Sequence, residues 1–175
     1  MDELLIRPMT EPDLPAYKAL RDAMLAGHPD AFTSDAETEM QRDLASYRSR
    51  LPSGTDSGTL FTLVALIGGR IIGALTCERE ARRKVAHMAQ LVGMMVSDTH
   101  HGRGIGRALL ADAISRLQAS PELAQVTLSV TASNRAAVGL YERMGFTRYG
   151  RLPDAVRLPD GRRLDKDLML RRLQA

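Results

Sequence analysis

Val96-Ser-Asp-Thr-His-His-Gly-Arg-Gly-Ile-Gly-Arg-Ala-Leu-Leu110 joins the end of an apolar run to three alternating glycines and then to a helix-period stretch. The outline is that of a phosphate cradle. Gly102, Gly104 and Gly106 let backbone N–H groups turn toward an anion without interference from Cβ, and a helix starting near Ile105 adds the partial positive charge of its N-terminus. His101, Arg103 and Arg107 place side-chain donors beside it. Two common phosphate loops do not fit. A P-loop requires Gly-x-x-x-x-Gly-Lys-Ser/Thr, and no lysine lies between Lys84 and Lys166. A dinucleotide fingerprint requires a small residue where Arg107 or Leu109 stands, and an acid near the end of the next strand, where Val126-Thr-Leu-Ser-Val-Thr131 has none.

What remains is His101-x-x-Gly104-x-Gly106, and a second segment follows at a suitable distance: Asn134-Arg-Ala-Ala-Val-Gly-Leu-Tyr-Glu-Arg-Met-Gly-Phe146. The first resembles the Gln/Arg-x-x-Gly-x-Gly/Ala acyl-CoA loop of the GNAT superfamily of N-acyltransferases, with His in the place of Gln/Arg. The second is similar to that family's Asn-x-x-Ala-x-x-Leu-Tyr-x-x-x-Gly-Phe, matching at Asn134, Ala137, Leu140, Tyr141, Gly145 and Phe146. A weaker echo, Asp165-x-x-x-Met169 after Asp160-Gly161, resembles the family's C-terminal strand. The resemblance covers about residues 60 to 173.

Around these motifs the chain reads as mixed α/β (α+β). Leu4 to Pro8 is a short strand, Thr10 and Asp13 cap a helix from about Leu14 to Leu25, and Ser34 or Asp35 opens a second, polar helix to about Arg50. The turn-rich segment 51–58 has nothing to pack and reads as mobile. Strands at Leu60 to Ile67 and Ile71 to Cys77 flank Gly68-Gly69, a hairpin signal. A third strand runs from about Ala86 to Val96, with Gly93 marking a bulge. Helix 105–119 presents Ile105, Leu109, Ala113 and Leu117 on one face. A short apolar strand at Gln125 to Thr131 reads as central. A helix capped by Ser133 or Asn134 and closed by Gly145 follows, then strands at 146–151 and 164–173 joined by a Pro/Asp/Gly loop. The resemblance implies a GNAT-like, largely antiparallel sheet of six or seven strands flanked by about four helices. With 175 residues the chain fits one domain, 1–175.

Net charge is +3, with lysine only at 18, 84 and 166. The arginines are scattered and aromatics make up 4% of the chain, so there is no base-stacking pattern and nucleic acid is not expected. A modest positive field suits an anionic donor carrying several phosphates. The single cysteine, Cys77, excludes an internal disulfide and reads as a buried structural thiol. There is no run of membrane-span length and no signal-peptide pattern, which points to the cytoplasm. The four histidines lack metal-ligand spacing. A homodimer stays open.

The resemblance implies acetyl-CoA as donor and an amine acceptor: a small amine, amino acid, antibiotic-like compound or protein N-terminus. It assigns the pyrophosphate to residues 101–107 (His101, Gly102, Arg103, Gly104, Ile105, Gly106, Arg107). The pantetheine falls to the strand edge at Met94, Met95 and Val96, further contacts to Asn134 and Ala137, and the role of general acid to Tyr141. By periodicity alone Tyr141 belongs to the inward face of its helix, and Asn134 is a cap by residue type. Gln90 stands where similar chains often carry Glu, and an amide accepts no proton at neutral pH. Water, Glu78, Glu80, Glu37 and His87 stay open as the base. Gln90 and His101 also leave open a non-catalytic acyl-CoA-binding or sensing module. Asp30, Asp35, Glu37, Glu39, Asp154 and Asp160 form an acidic set that would favour a cationic acceptor if it converged on the cleft.

Overall fold

The computed structural model describes residues 3–52 and 59–174; the expected mobile segment 51–58 lies almost wholly outside them. Seven strands form one sheet, β1 (Leu5–Pro8), β2 (Thr59–Ile67), β3 (Arg70–Arg79), β4 (Met88–Val96), β5 (Gln125–Thr131), β6 (Thr147–Arg157) and β7 (Arg163–Arg172), in the order β1-β2-β3-β4-β5-β7-β6. Every pairing is antiparallel except β4 with β5. The helices are α1 (Leu14–Gly27), α2 (Ala36–Met40), α3 (Ile105–Gln118) and α4 (Arg135–Arg143). None is long and apolar enough to cross a membrane.

Alternation along the strands builds two apolar layers. Leu63, Ala65, Leu75, Ala89 and Leu91 point to the face covered by α3, with Leu109, Leu110, Leu117 and Phe146. Val64, Leu66 and Ala74 point to the opposite face, with Tyr17, Leu20 and Met24 of α1.

The bulge expected at Gly93 is present and reverses this alternation. Ala74 pairs with Met95 and Thr76 with Val92, so Gly93 and Met94 together oppose the single residue Leu75. Gly93 has a φ of 61°, a left-handed conformation that a bulge of this kind requires. One extra residue exchanges the faces. Met95, two residues beyond Gly93, packs on the α1 side, while Met94 turns toward α3 and α4.

Two expectations need correction. The second helix does not run to Arg50. It stops after five residues at Met40, and a 3₁₀ turn over Leu44–Arg50 follows, opened by the Asp43 side chain, which accepts from the Ala45 amide. The reason is Glu39, which turns inward and is 5% exposed, bonded to Arg21 Nε at 2.8 Å and to the Tyr47 hydroxyl at 2.8 Å. These buried ties outweigh helix continuation. In the second case the loop expected between the last strands is mostly strand. β6 continues to Arg157 through an irregularity between Leu152 and Val156, where Asp154 has a φ of 50° and its amide donates to Asp165 Oδ1 at 3.0 Å. Pro153, read as a loop signal, sits in that irregularity, one of the few places in a sheet that tolerate a residue without N–H.

Candidate active site

β4 and β5 pair only at Met88, Ala89 and Gln90 with Gln125, Val126 and Thr127. Beyond Gln90 they separate, and a cavity of about 500 Å³ opens between them. β4 stays laddered to β3 on its other side, with Val96 opposite Gly73 and the Ser97 amide donating to the Ile72 carbonyl at 2.8 Å. Ladder alternation therefore turns the Met95 amide toward β3 and the Val96 amide toward the open edge. Of these two amides, that of Val96 is the one that faces the cavity.

The glycine loop closes one end. Gly104 precedes α3 with a φ of 78°, and an added Cβ at Gly102 or Gly104 would meet nothing within 4 Å, so the space over both is open. The first amides of α3 point out of its N-terminus, as an anion site requires. Arg103 and Arg107 are exposed and pair with no carboxylate among the described residues. Gly106 serves packing instead: a Cβ there would stand 2.8 Å from the Met94 methyl. Ile105 is a core residue, 2% exposed, so only its backbone is available to a ligand.

Of the residues selected from sequence, Met94, Met95, Val96, His101, Gly102, Gly106, Asn134, Ala137 and Tyr141 line this cavity together. His101 is not idle: its Nε2 donates to the Val96 carbonyl at 2.7 Å, clamping the loop to β4. Asn134 is the helix cap, its side chain accepting from the Ala137 amide at 3.2 Å. Tyr141 is 9% exposed, stacked edge-on against Phe146 at 5.9 Å, and its hydroxyl donates to Met94 Sδ at 3.4 Å. Burial pushes its pKa up to about 12, above the ordinary phenol value of 10.

The candidate bases fare differently, and none of Glu78, Glu80, Glu37 and His87 lines the cavity. Glu78 faces Gln90 across the β3–β4 ladder and pairs with Arg50 at 3.1 Å. Glu80 pairs with Arg82, Glu37 is exposed in the first turn of α2, and His87 is exposed before β4. Sequence reasoning passed over His28, which does line it. His28 ends α1, and its Nε2 lies 2.6 Å from Asp98 Oδ1. The two residues are 70 apart in sequence, a pairing that no local spacing signals. Cys77 is fully buried, and burial pushes its thiol well above the usual range, so it takes no part.

The acidic set does not converge. Asp30 and Asp160 both pair with Arg162, Asp35 caps α2, Glu39 is buried on Arg21, and Asp154 pairs with Arg157 and Arg163. No Asp or Glu lines the cavity among the described residues.

A model of the acetyltransferase (GNAT) family matches residues 18–146. A mycothiol acetyltransferase of Salinispora tropica is 33% identical over 153 residues, which cover 83% of this chain and 50% of that protein, so the chain spans about half its length. An L-amino acid N-acetyltransferase of Escherichia coli is 26% identical over 146 residues, covering 83% of this chain and 84% of the relative. Among solved structures, an acetyltransferase of the GNAT family from Streptococcus pneumoniae superposes with a TM-score of 0.83 at 26% identity, over 98% of this chain and 100% of that one.

Proposed function

The chain belongs to the GNAT family of acetyltransferases, and from that premise we propose that it moves an acetyl group from acetyl-CoA to a primary amine by direct attack through a tetrahedral intermediate. The observation that carries the reading is the cleft where β4 leaves β5, with a glycine loop at one end and Tyr141 in its wall. It fits the donor on three counts. The loop amides and Arg103 with Arg107 suit a diphosphate. The unpaired β4 edge past Gln90 suits amide groups running alongside it as an added strand would. A half-open, mostly apolar cavity suits the thioester end. Two apolar clusters packed on one sheet support residues 1–175 as a single domain.

When bound, acetyl-CoA supplies an activated acyl carbon and a thiolate leaving group. The protein's part is polar and positional. The Val96 amide polarises the thioester carbonyl, an interaction worth about 3 kcal/mol at the barrier in enzymes generally. His28 takes the amine proton: its Nε2–H donates to Asp98, which fixes the tautomer and leaves Nδ1 as the basic nitrogen. As the new C–N bond forms and the C–S bond breaks, the Tyr141 hydroxyl gives its proton to sulfur. A phenol held near 12 stays protonated throughout the working pH range.

The experiment is release of CoA thiol from acetyl-CoA against a panel of amines, with the product identified by a mass gain of one acetyl group. Amine-dependent release supports the reading. Tight acetyl-CoA binding with no release for any amine would instead favour a binding or sensing module.

A further inference from the structure

We propose that the acceptor amine also carries a carboxylate, and that Lys166 of β7, assisted by the Thr33 hydroxyl, holds it; this rests on the acetyltransferase reading above. The inference begins from the charges in the cavity wall. Its titratable side chains among the described residues are His28, His101, Tyr141 and Lys166, so the one permanent charge there is a cation. Acids expected to select a positive acceptor are engaged elsewhere, on arginines or in the first turn of α2.

Lys166 is only partly exposed, and it forms no ion pair among the described residues. Its neighbours in sequence are committed: Asp165 accepts from the Asp154 amide, and Asp167 is held by Arg151 at 2.7 Å. Nζ instead donates to Thr33 Oγ1, a neutral partner. Burial lowers its pKa from the ordinary lysine value, the sign of a cation losing solvent without gaining a counter-charge. A carboxylate placed against it would supply that charge in a site partly shielded from water, where a charge-assisted hydrogen bond is stronger than on an open surface.

Placement separates this cation from the donor end. Lys166 stands opposite Thr131 on β5, and directly opposed residues share a face, so Ser129, two residues along, shares it too. That face also receives Asp30, whose carbonyl accepts from Thr131 Oγ1, and the following segment brings Phe32 and Thr33 into the cavity wall. Val130 and Leu128 point the other way, into the layer under α3 and Tyr141. The cavity thus has Tyr141 on one side of the sheet and Lys166 on the other, so a carboxylate held by Lys166 lies apart from the donor sulfur beside Tyr141. A peptide N-terminus offers no carboxylate near its amine, so free amino acids are favoured over protein acceptors.

The test is calorimetry with N-acetyl derivatives of the standard amino acids and the matching N-acetyl amides, titrated onto the protein alone and saturated with CoA. Carboxylates should bind at least 10-fold more tightly than their amides. Lys166→Met and Lys166→Gln should erase the difference while CoA affinity stays within about 2-fold. Amides that bind as well as carboxylates to the parent protein would overturn the proposal, and this arm needs no variant to fold. A preference surviving in both variants would overturn it too, as would a loss of CoA affinity, which would place Lys166 at the donor's phosphates. Failure of CoA to bind at all would remove the acetyltransferase reading, while the carboxylate–amide comparison on the protein alone would still decide Lys166.

Discussion

Replacing Tyr141 by Phe removes one oxygen from a ring that is otherwise kept in place. The ring's packing on Phe146 at 5.9 Å does not need the hydroxyl, and the hydroxyl's partner is the Met94 sulfur at 3.4 Å, a weak acceptor. The stability cost is therefore below about 1 kcal/mol, a shift in Tm of roughly 2–4 °C at most. The catalytic cost is larger. General acids contribute about 10²–10⁴ in rate, or roughly 3–5 kcal/mol. The lower end applies here, because a phenol near 12 stands some 3–4 units above an ordinary thiol at about 8.5, and transfer to a free thiolate is uphill by about 5 kcal/mol. The expected result is a fall in kcat of about 10²-fold, with acetyl-CoA affinity within 2-fold, read by CoA thiol release with pre-steady-state mixing to establish that chemistry limits turnover. The parent should show no loss of kcat from Tyr141 ionisation below about pH 10. Turnover within about 3-fold of the parent, with chemistry limiting, would refute the role and leave Tyr141 a packing residue.

Gly104→Asp adds a side chain where a Cβ meets nothing within 4 Å, at a φ of 78° that Asp tolerates better than most residues, so the fold should hold while calorimetry shows acetyl-CoA affinity reduced at least 10-fold by the added negative charge. His28→Gln should lower kcat/KM for amine at pH 7 by 10-fold or more, with the deficit shrinking as pH approaches the amine's own pKa, and a constant deficit across pH would argue for a packing role. Glu39→Gln removes the charge that faces Arg21 in the interior and should cost about 3–5 kcal/mol in urea unfolding. Burial alone would raise the Glu39 pKa, yet hydrogen bonds from Arg21, Tyr47 and Arg42 together hold it at about 2 against an ordinary 4.5. The folded carboxylate is thus the harder to protonate, so its contribution is complete above about pH 4.5 and disappears as pH falls toward 2, an acid dependence that Glu39→Gln should flatten.

Features set by a few adjacent residues were legible in the chain. The Gly68-Gly69 hairpin, the Gly93 bulge, the Gly104 entry to α3 and the Asn134 cap of α4 each depend on backbone preferences that a residue declares by itself. The residues proposed for the donor half of the site were chosen from these, because a glycine loop and a helix face are local. What escaped reading depends on partners distant in sequence. Glu39 breaks the second helix because Arg21 and Tyr47 draw it inward, Arg162 reaches back across 132 positions to Asp30, and His28 meets Asp98 across 70. The acidic set misled for the same reason: composition counts carboxylates but does not reveal which arginine each one faces. Lys166, which the sequence presented only as one of three lysines, became informative once β7 was seen to carry it into the cavity wall.

A crystal structure with CoA bound tests the central claim most directly. The expected result is a diphosphate against the amides of residues 102–107, a pantetheine arm along the β4 edge from Leu91 to Val96, and the sulfur within hydrogen-bonding reach of the Tyr141 hydroxyl. CoA seated outside the β4–β5 cleft, or a sulfur remote from Tyr141, would contradict the account.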